Sequence, residues 1–508
     1  MGELSDKVRA ALARDPKAHA IQFKGAWHSW GDVARIVASL DDEFARLGLG
    51  PGAAVGCVFR NRPAFAAAIM GIISGERCLV TLNGHLPDAR LAADIIAARP
   101  PVVIALAEDW SRPELRNAVA EIGAAGLSLS DEGAARVAGL ERVGAGPHVE
   151  PPAGTAVLML TSGTTGAPKR VPLTMATLER QLVESSGGAA RHGVAEPAAP
   201  NTDVAILGAS FVHISGVWGL MGPAMAGRPV VLLEKFNVPE WHAAVVEHRP
   251  RAAGAPPTAL RMILDANLPA EDLSSLAALG SGTAPLDPDI NDAFLSRYNI
   301  AVLANYGATE FAGAIASWSL ASYRQFWSAK RGAVGRVHNT MDARVVDPET
   351  DEVLAPGREG ILELKGFVTG RGDAWLRTTD LAVMDEDRFL WIKGRADNAI
   401  VRGGFKIQPD DVVAVLQQHP AVAEASVVGV PDRRLGEVPV AALVLKPGVE
   451  RPTDAELEAL VRSRLMAYCA PTAFRVVDEL PRTPSLKVSM PAVRAMFEES
   501  PAEPPKTA

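Results

Sequence analysis

Cysteine is scarce in this chain. Cys57, Cys78 and Cys469 are the three in 508 residues, and they lie far apart. That spacing supplies neither a disulfide framework nor a metal-ligand cluster. It fits a reducing cytoplasm, which is the compartment we expect. There is no basic block and the net charge is −8, so a nucleic-acid partner is not expected. The stretch from Met1 to Asp15 carries no signal peptide. Asp6 stands where a myristoylation motif needs a hydroxyl. The longest apolar stretch near the start, Ala64 to Ser74, is broken by Gly75-Glu76-Arg77. It is too short to span a bilayer, and we read it as a buried helix. No internal repeat is found.

What is present is a large apolar content, 48% of residues. The length suggests two or more domains. Strand-like runs at 54–60, 102–108, 203–211 and 228–235 alternate with helical patterns such as Trp30–Leu47 and Pro239–Arg249. Such alternation predicts an α/β fold with parallel sheets. The segment 187–202 reads as a loop, and the tail after Phe497 as disordered. A second unit begins near Arg395. It reads as a helix at Pro409–Gln418, strands at Glu424–Val430 and Val438–Lys446, and a helix opened by the capping box Thr453-Asp-Ala-Glu456.

One stretch concentrates unusual chemistry. After the apolar run 156–160 comes Thr161-Ser162-Gly163-Thr164-Thr165-Gly166-Ala167-Pro168-Lys169-Arg170. Glycine lets a backbone approach a ligand closely, and successive N–H groups form a nest for anions. Four hydroxyls and Lys169 complete a phosphate grip. A Walker A loop is ruled out, because Lys169 follows Pro168 rather than a glycine. Taken alone, the segment also fits a solvated Ser/Thr/Gly loop.

Further segments follow in order. They are Gly280-Ser-Gly282-Thr-Ala-Pro-Leu286, then Asn305-Tyr306-Gly307-Ala308-Thr309-Glu310, then Gly332-Ala-Val-Gly-Arg336. After them come Thr378-Thr379-Asp380-Leu381 and Trp391-Ile392-Lys393-Gly394-Arg395-Ala396-Asp397. Last are Val401-Arg-Gly403-Gly404-Phe405-Lys406-Ile407 and Pro481-Arg-Thr483-Pro-Ser485-Leu486-Lys487. Singly, each also fits ordinary turn chemistry or a surface charge. As an ordered set, spanning Trp30 to Lys487, they resemble the adenylate-forming superfamily. That group includes acyl-CoA and aryl-CoA synthetases, peptide-synthetase adenylation domains and firefly luciferase.

The resemblance implies a large N-terminal domain, 1–394, of parallel-rich sheets layered with helices. A small mobile α+β domain, 395–508, follows it. It implies ATP, Mg2+ and coenzyme A as reactants or cofactors, and a small carboxylic acid as substrate. Residues 161–166 and Lys169 would hold phosphates. Gly282, Asn305, Tyr306, Gly307, Ala308 and Ile392 would surround the nucleotide. Thr309 would meet the α-phosphate and Glu310 the magnesium. Asp380 would hold ribose hydroxyls, since a carboxylate accepts two donors well, and Arg395 would reach ribose or phosphate. Asp397 would be the hinge. Gly403 and Gly404 would face the incoming thiol, and Lys487 would be the catalytic lysine of the first half-reaction.

His213 falls where relatives place a group beside the acyl carboxylate, although a satisfied core histidine fits equally. Val212, Val217, Trp218, Phe311, Ala312 and Gly313 would line the acyl pocket. That lining is apolar and without arginine, which favours an aliphatic or aromatic acid over a dicarboxylate. One departure stands out. The family places glycine before the lysine, and this chain has Leu486. An amine or a separate carrier protein therefore stays open as acceptor, as does a non-catalytic nucleotide-binding homologue. Monomer and homodimer both stay open.

Overall fold

The computed structural model describes residues 2–161, 169–186, 203–366, 374–396, 399–446, 448–481 and 488–498. The chain forms two compact units, the first ending at Gly394 and the second starting at Arg395. The segment 187–202 and the tail from 499 lie outside the described residues.

The first unit is built on three sheets. The seven-stranded sheet runs Gly133–Arg136, Ala125–Ser130, Val102–Leu106, Ala54–Phe59, Cys78–Asn83, Thr155–Thr161, Lys169–Thr174. Its inner strands are parallel and both edge strands are antiparallel. Parallel strands buried on both faces should be apolar at every position, and Ala54–Phe59 is buried throughout. Alternate side chains serve opposite cores. Val55, Cys57 and Phe59 join the cluster that holds Trp30, Leu40 and Phe65. Ala54 and Val58 join the cluster of Leu91, Ile95 and Leu115. Period-two alternation of side chains produces this division.

The helices on the first face follow from local signals. Trp30–Arg46 starts at Ser29, whose hydroxyl accepts from the Asp32 N–H in a capping box. Pro63–Ser74 is buried at every residue, as expected for the apolar stretch that is too short for a bilayer. Among the described residues no helix is long and apolar enough to cross a membrane.

A four-stranded sheet carries Ala205–Leu207, Val230–Leu232, His19–Phe23 and Ala26–Ser29. The strand expected over 203–211 stops at Leu207 for a physical reason. Beyond it, the Asn61 amide donates to Ala209 O at 2.9 Å and accepts from the Phe211 N–H at 3.1 Å. A buried side chain, rather than a neighbouring strand, satisfies that backbone.

The nine-stranded sheet changes character along its width. Ala252–Gly254, Ala278–Ser281 and Ala301–Ala308 are parallel. From Ala301–Ala308 onward, through Gly313–Ser317, Gly335–Val337 and Phe389–Arg395, neighbours are antiparallel. The outer strands Asp342–Val346, Glu359–Lys365 and Leu376–Met384 are antiparallel too. Sequence alternation did not reveal this half. Antiparallel strands need no crossover helix between them, so the βα rhythm fades after Tyr306.

The second unit is α+β. Ile400–Arg402, Phe405–Ile407, Val422–Asp432, Gly436–Leu445 and Phe474–Val476 form its sheet. Helices Pro409–Leu416 and Asp454–Arg464 pack on it through Val412, Leu416, Leu457 and Val461. The Thr453 hydroxyl accepts from the Glu456 N–H, completing the expected capping box.

The strand after the glycine-rich stretch is tied down by one buried ion pair. Arg170 donates to Asp94 Oδ1 at 2.6 Å and to Thr81 O at 2.9 Å, with side-chain exposures of 14% and 10% for the pair. Burial pushes the Asp94 carboxyl up, and Arg170 opposes that shift. Arg170→Met strands the carboxylate and should cost about 3–5 kcal/mol, as broken buried pairs do. Because a raised carboxyl takes up a proton readily, the loss should be largest at high pH and shrink as pH falls. Urea unfolding at pH 8 and at pH 5.5 measures both; an equal, small loss at the two values refutes the assignment.

Candidate active site

The glycine-rich stretch joins two strands that pair with each other. These strands, Thr155–Thr161 and Lys169–Thr174, pair so that Thr161 faces Lys169. The first runs parallel to Cys78–Asn83, so the stretch leaves from the carboxyl edge of the parallel strands. Ligands of open α/β sheets bind at that edge. Lys169 is exposed. Ser162, Gly163, Thr164, Thr165, Gly166 and the side chain of Thr161 lie outside the described residues, as do Asp397 and Lys487.

Two further predicted segments sit at carboxyl ends of neighbouring parallel strands. Ala278–Ser281 ends at Gly282, and Ala301–Ala308 leads into Thr309. Asn305 Nδ2 donates to Ser281 O at 2.9 Å. A Cβ at position 282 would overlap Asn305 Oδ1, so the glycine there lets the amide lie flat against the neighbouring strand. Tyr306 and Asp380, 74 residues apart, meet directly: the phenol donates to Asp380 Oδ2 at 2.5 Å. Asp380 is set in turn by Thr378, whose hydroxyl accepts from the Asp380 N–H at 3.1 Å and donates to Leu362 O at 2.8 Å. Ile392 packs with Tyr306 and Ala308 on one apolar cluster. Arg395 closes the strand Phe389–Arg395.

Gly307 and Ala308 lead into a single 3-10 turn, Thr309–Phe311. Thr309 is half-buried and Glu310 is exposed. Among the described residues no group of three or more His, Cys, Asp or Glu side chains could hold a metal ion. One accessible carboxylate suits magnesium, which keeps several waters and binds through few carboxylates plus phosphate oxygens.

The predicted acyl-pocket residues divide. Phe311 is 3% exposed, buried with Ile315, Leu362 and Leu390. Val217 and Ala312 are wholly buried in the largest core. All three pack within apolar cores. Ala312 takes a left-handed φ of 55° as the chain turns from the 3-10 segment into Gly313–Ser317. Val212, Trp218 and Gly313 are half-buried and remain near the surface of that region.

His213 precedes the helix Ile214–Met225 as its N-cap. Its side chain is solvent-accessible, yet desolvation lowers its pKa below the ordinary histidine value. Its accessibility decides whether a ligand can reach it. The imidazole is neutral at neutral pH. Asn61 is the residue that sequence reasoning missed here. Besides Ala209 and Phe211 it bonds Leu233 O at 3.1 Å, and so shapes the loop that ends in His213. The run Arg60-Asn61-Arg62 at the end of a parallel strand was the available signal.

In the second unit, Ile400–Arg402 and Phe405–Ile407 form a hairpin with a two-residue turn. Gly403 and Gly404 have φ of 57° and 89°, the left-handed pair that this turn requires. The Gly403 N–H donates to Leu435 O at 2.7 Å, which fixes the turn. Phe405 stacks on Tyr468 with ring centroids 4.6 Å apart.

Comparison with known proteins shows the family of the chain. The AMP-binding enzyme family matches residues 8–372, and the AMP-binding enzyme C-terminal domain matches 412–487. The 2-succinylbenzoate–CoA ligase of Bacillus velezensis is 30% identical over 484 residues, covering 92% of this chain and 91% of that protein. The 4-coumarate–CoA ligase 3 of Oryza sativa subsp. japonica is 28% identical over 477 residues, 89% of this chain and 84% of that one. The match to the 4-coumarate–CoA ligase-like 9 of Arabidopsis thaliana, 29% identical over 350 residues, takes in 66% of this chain and 60% of that longer protein. Among solved structures, the amide bond synthetase McbA of Marinactinospora thermotolerans superposes with a TM-score of 0.81 at 24% identity, covering 97% and 99% of the two chains. The o-succinylbenzoate CoA synthetase of Bacillus subtilis gives 0.79 at 24% identity, covering 96% and 98%; both likenesses speak to fold. The chain thus belongs to the AMP-binding enzyme family, within the adenylate-forming superfamily.

Proposed function

We propose that this chain activates a carboxylic acid with ATP and passes the acyl group to coenzyme A. In the first half-reaction a carboxylate oxygen bonds to the α-phosphorus, and the bond to the β-phosphate breaks to release pyrophosphate. In the second, the thiolate sulfur of coenzyme A attacks the acyl carbon and AMP leaves. One observation carries this reading: Tyr306 and Asp380, named from separate segments as nucleotide and ribose contacts, are joined by a hydrogen bond.

Two anions must meet in the first step, so positioning and positive charge are the main resources. The 161–169 segment supplies N–H groups, hydroxyls and Lys169 to the β- and γ-phosphates. Glu310 holds magnesium, which when bound neutralises charge on the phosphates. Thr309 bonds the α-phosphate, and Arg395 adds charge at the ribose. Lys487, a compact cation on a flexible stem, neutralises the reacting oxygens. Neutral His213 offers a ring N–H to the carboxylate without adding charge. The acid is aliphatic or aromatic, because no arginine occurs among the residues assigned to its pocket. Between the half-reactions the small domain turns about Asp397, exchanging Lys487 for the Gly403-Gly404 turn. Such hinge steps gate many enzymes. A reducing compartment, the cytoplasm, suits the three free cysteines.

Leu486 favours a second reading of the acceptor, an amine or a carrier thiol. A leucine restricts φ and adds bulk where glycine would not.

Lys487→Ala should lower carboxylate-dependent ATP–pyrophosphate exchange by about 100-fold or more, the loss typical of removing one transition-state donor, while ATP binding persists. Exchange at the unaltered rate would remove Lys487 from this role. Asp397→Pro should impair thioester formation far more than exchange; matched losses would argue against the hinge. Supplying coenzyme A or an amine to the preformed adenylate, with AMP release as the readout, separates the two acceptors.

A further inference from the structure

We propose that Gln181 and Trp218 are positioning residues, a two-point clamp on the turn that carries Thr309 and Glu310. The inference rests on the proposed role of Glu310 toward magnesium and goes beyond it. Gln181 Nε2 donates to Phe311 O at 3.1 Å, and the Trp218 indole N–H donates to Ala312 O. The two carbonyls are consecutive and flank the left-handed Ala312.

The geometry of the turn explains why it needs holding. A non-glycine residue at positive φ stores strain of order 1 kcal/mol and persists only where its surroundings over-determine it. Here three neighbours do so. Phe311 is buried on the sheet side. Gln181 is 5% exposed, and Trp218 packs against the largest core. Both side chains also close on Gly313, where an added Cβ would lie 3.1 Å from Gln181 Oε1 and 3.6 Å from Trp218 Nε1.

The clamp joins three segments of the site. Gln181 lies on the helix Met175–Ser186, which follows directly from the strand Lys169–Thr174. Trp218 lies on the helix that starts after His213. The clamped carbonyls follow Glu310 by one and two residues. Trp218 was expected to shape the acyl pocket; its N–H is instead committed to the metal-side turn. A change in acyl-side packing is therefore transmitted to Glu310 through a single hydrogen bond.

The test uses the whole chain and equilibrium binding of ATP, titrated by calorimetry with magnesium and with EDTA. Trp218→Phe keeps a ring and deletes the donor. Gln181→Leu deletes the amide. Gln181→Glu keeps the shape, but when ionised turns a carboxylate toward the Phe311 carbonyl. Each should reduce the magnesium-dependent gain in ATP affinity by about fivefold, the worth of one such hydrogen bond, and leave ATP binding in EDTA unchanged. Gln181→Glu should regain the difference as pH falls, because a protonated carboxyl donates to the carbonyl as the amide does. A merely structural role would not reproduce that pH dependence. Unchanged magnesium dependence in all three variants overturns the clamp, as does an unaltered chain whose ATP affinity ignores magnesium. Magnesium-dependent binding without carboxylate-dependent pyrophosphate release would instead overturn the proposed reaction and leave the clamp standing.

Discussion

The strand Ala301–Ala308 is the constraint on which the site depends. It is parallel to Ala278–Ser281 on one side and antiparallel to Gly313–Ser317 on the other. The parallel side brings Gly282 to the same edge as Asn305. The antiparallel side forces a tight reversal, and that reversal is the turn bearing Thr309 and Glu310. The strand's register is pinned from below. Asn291, fully buried, donates to Val302 O at 2.7 Å, accepts from the Val302 N–H at 3.3 Å, and accepts from the Tyr323 hydroxyl at 2.6 Å. A slip by one residue would turn every side chain to the opposite face, and would carry Tyr306 away from Asp380.

Buried polar side chains recur in the supporting structure. Asn61, Gln181, Asn291 and Arg170 all bond backbone carbonyls around the site. A buried amide or guanidinium without partners would be costly, so each fixes one arrangement of the loop that it contacts. The predicted site residues are mostly accessible by comparison. His213, Lys169 and Glu310 are exposed, while Tyr306, Thr309 and Asp380 are half-buried. Rigidity is supplied from beneath, and the predicted contact residues keep accessible surface.

Much of this was legible without coordinates. The capping box at Thr453 is local, so short spacing reveals it. The all-buried strand Ala54–Phe59 shows as an unbroken apolar run. Gly403-Gly404 announces a hairpin because positive φ favours glycine. The fate of Phe311 was not legible. It is buried with Ile315, Leu362 and Leu390, which come from three separate strands, and local spacing gives no sign of that contact. Nor could spacing show that Asn61 would take the backbone bonds expected of a longer strand.

The sequence by itself determined the family, the α/β layering and the order of the segments expected at the nucleotide, because these rest on residue type and short-range spacing. Only the tertiary structure decided which of those residues are occupied by packing. It buried Phe311 and Val217, gave the Trp218 N–H to a backbone carbonyl, and joined Tyr306 to Asp380. Hydrogen bonds between distant segments are set by how sheets and helices pack, and no local pattern along the chain encodes that.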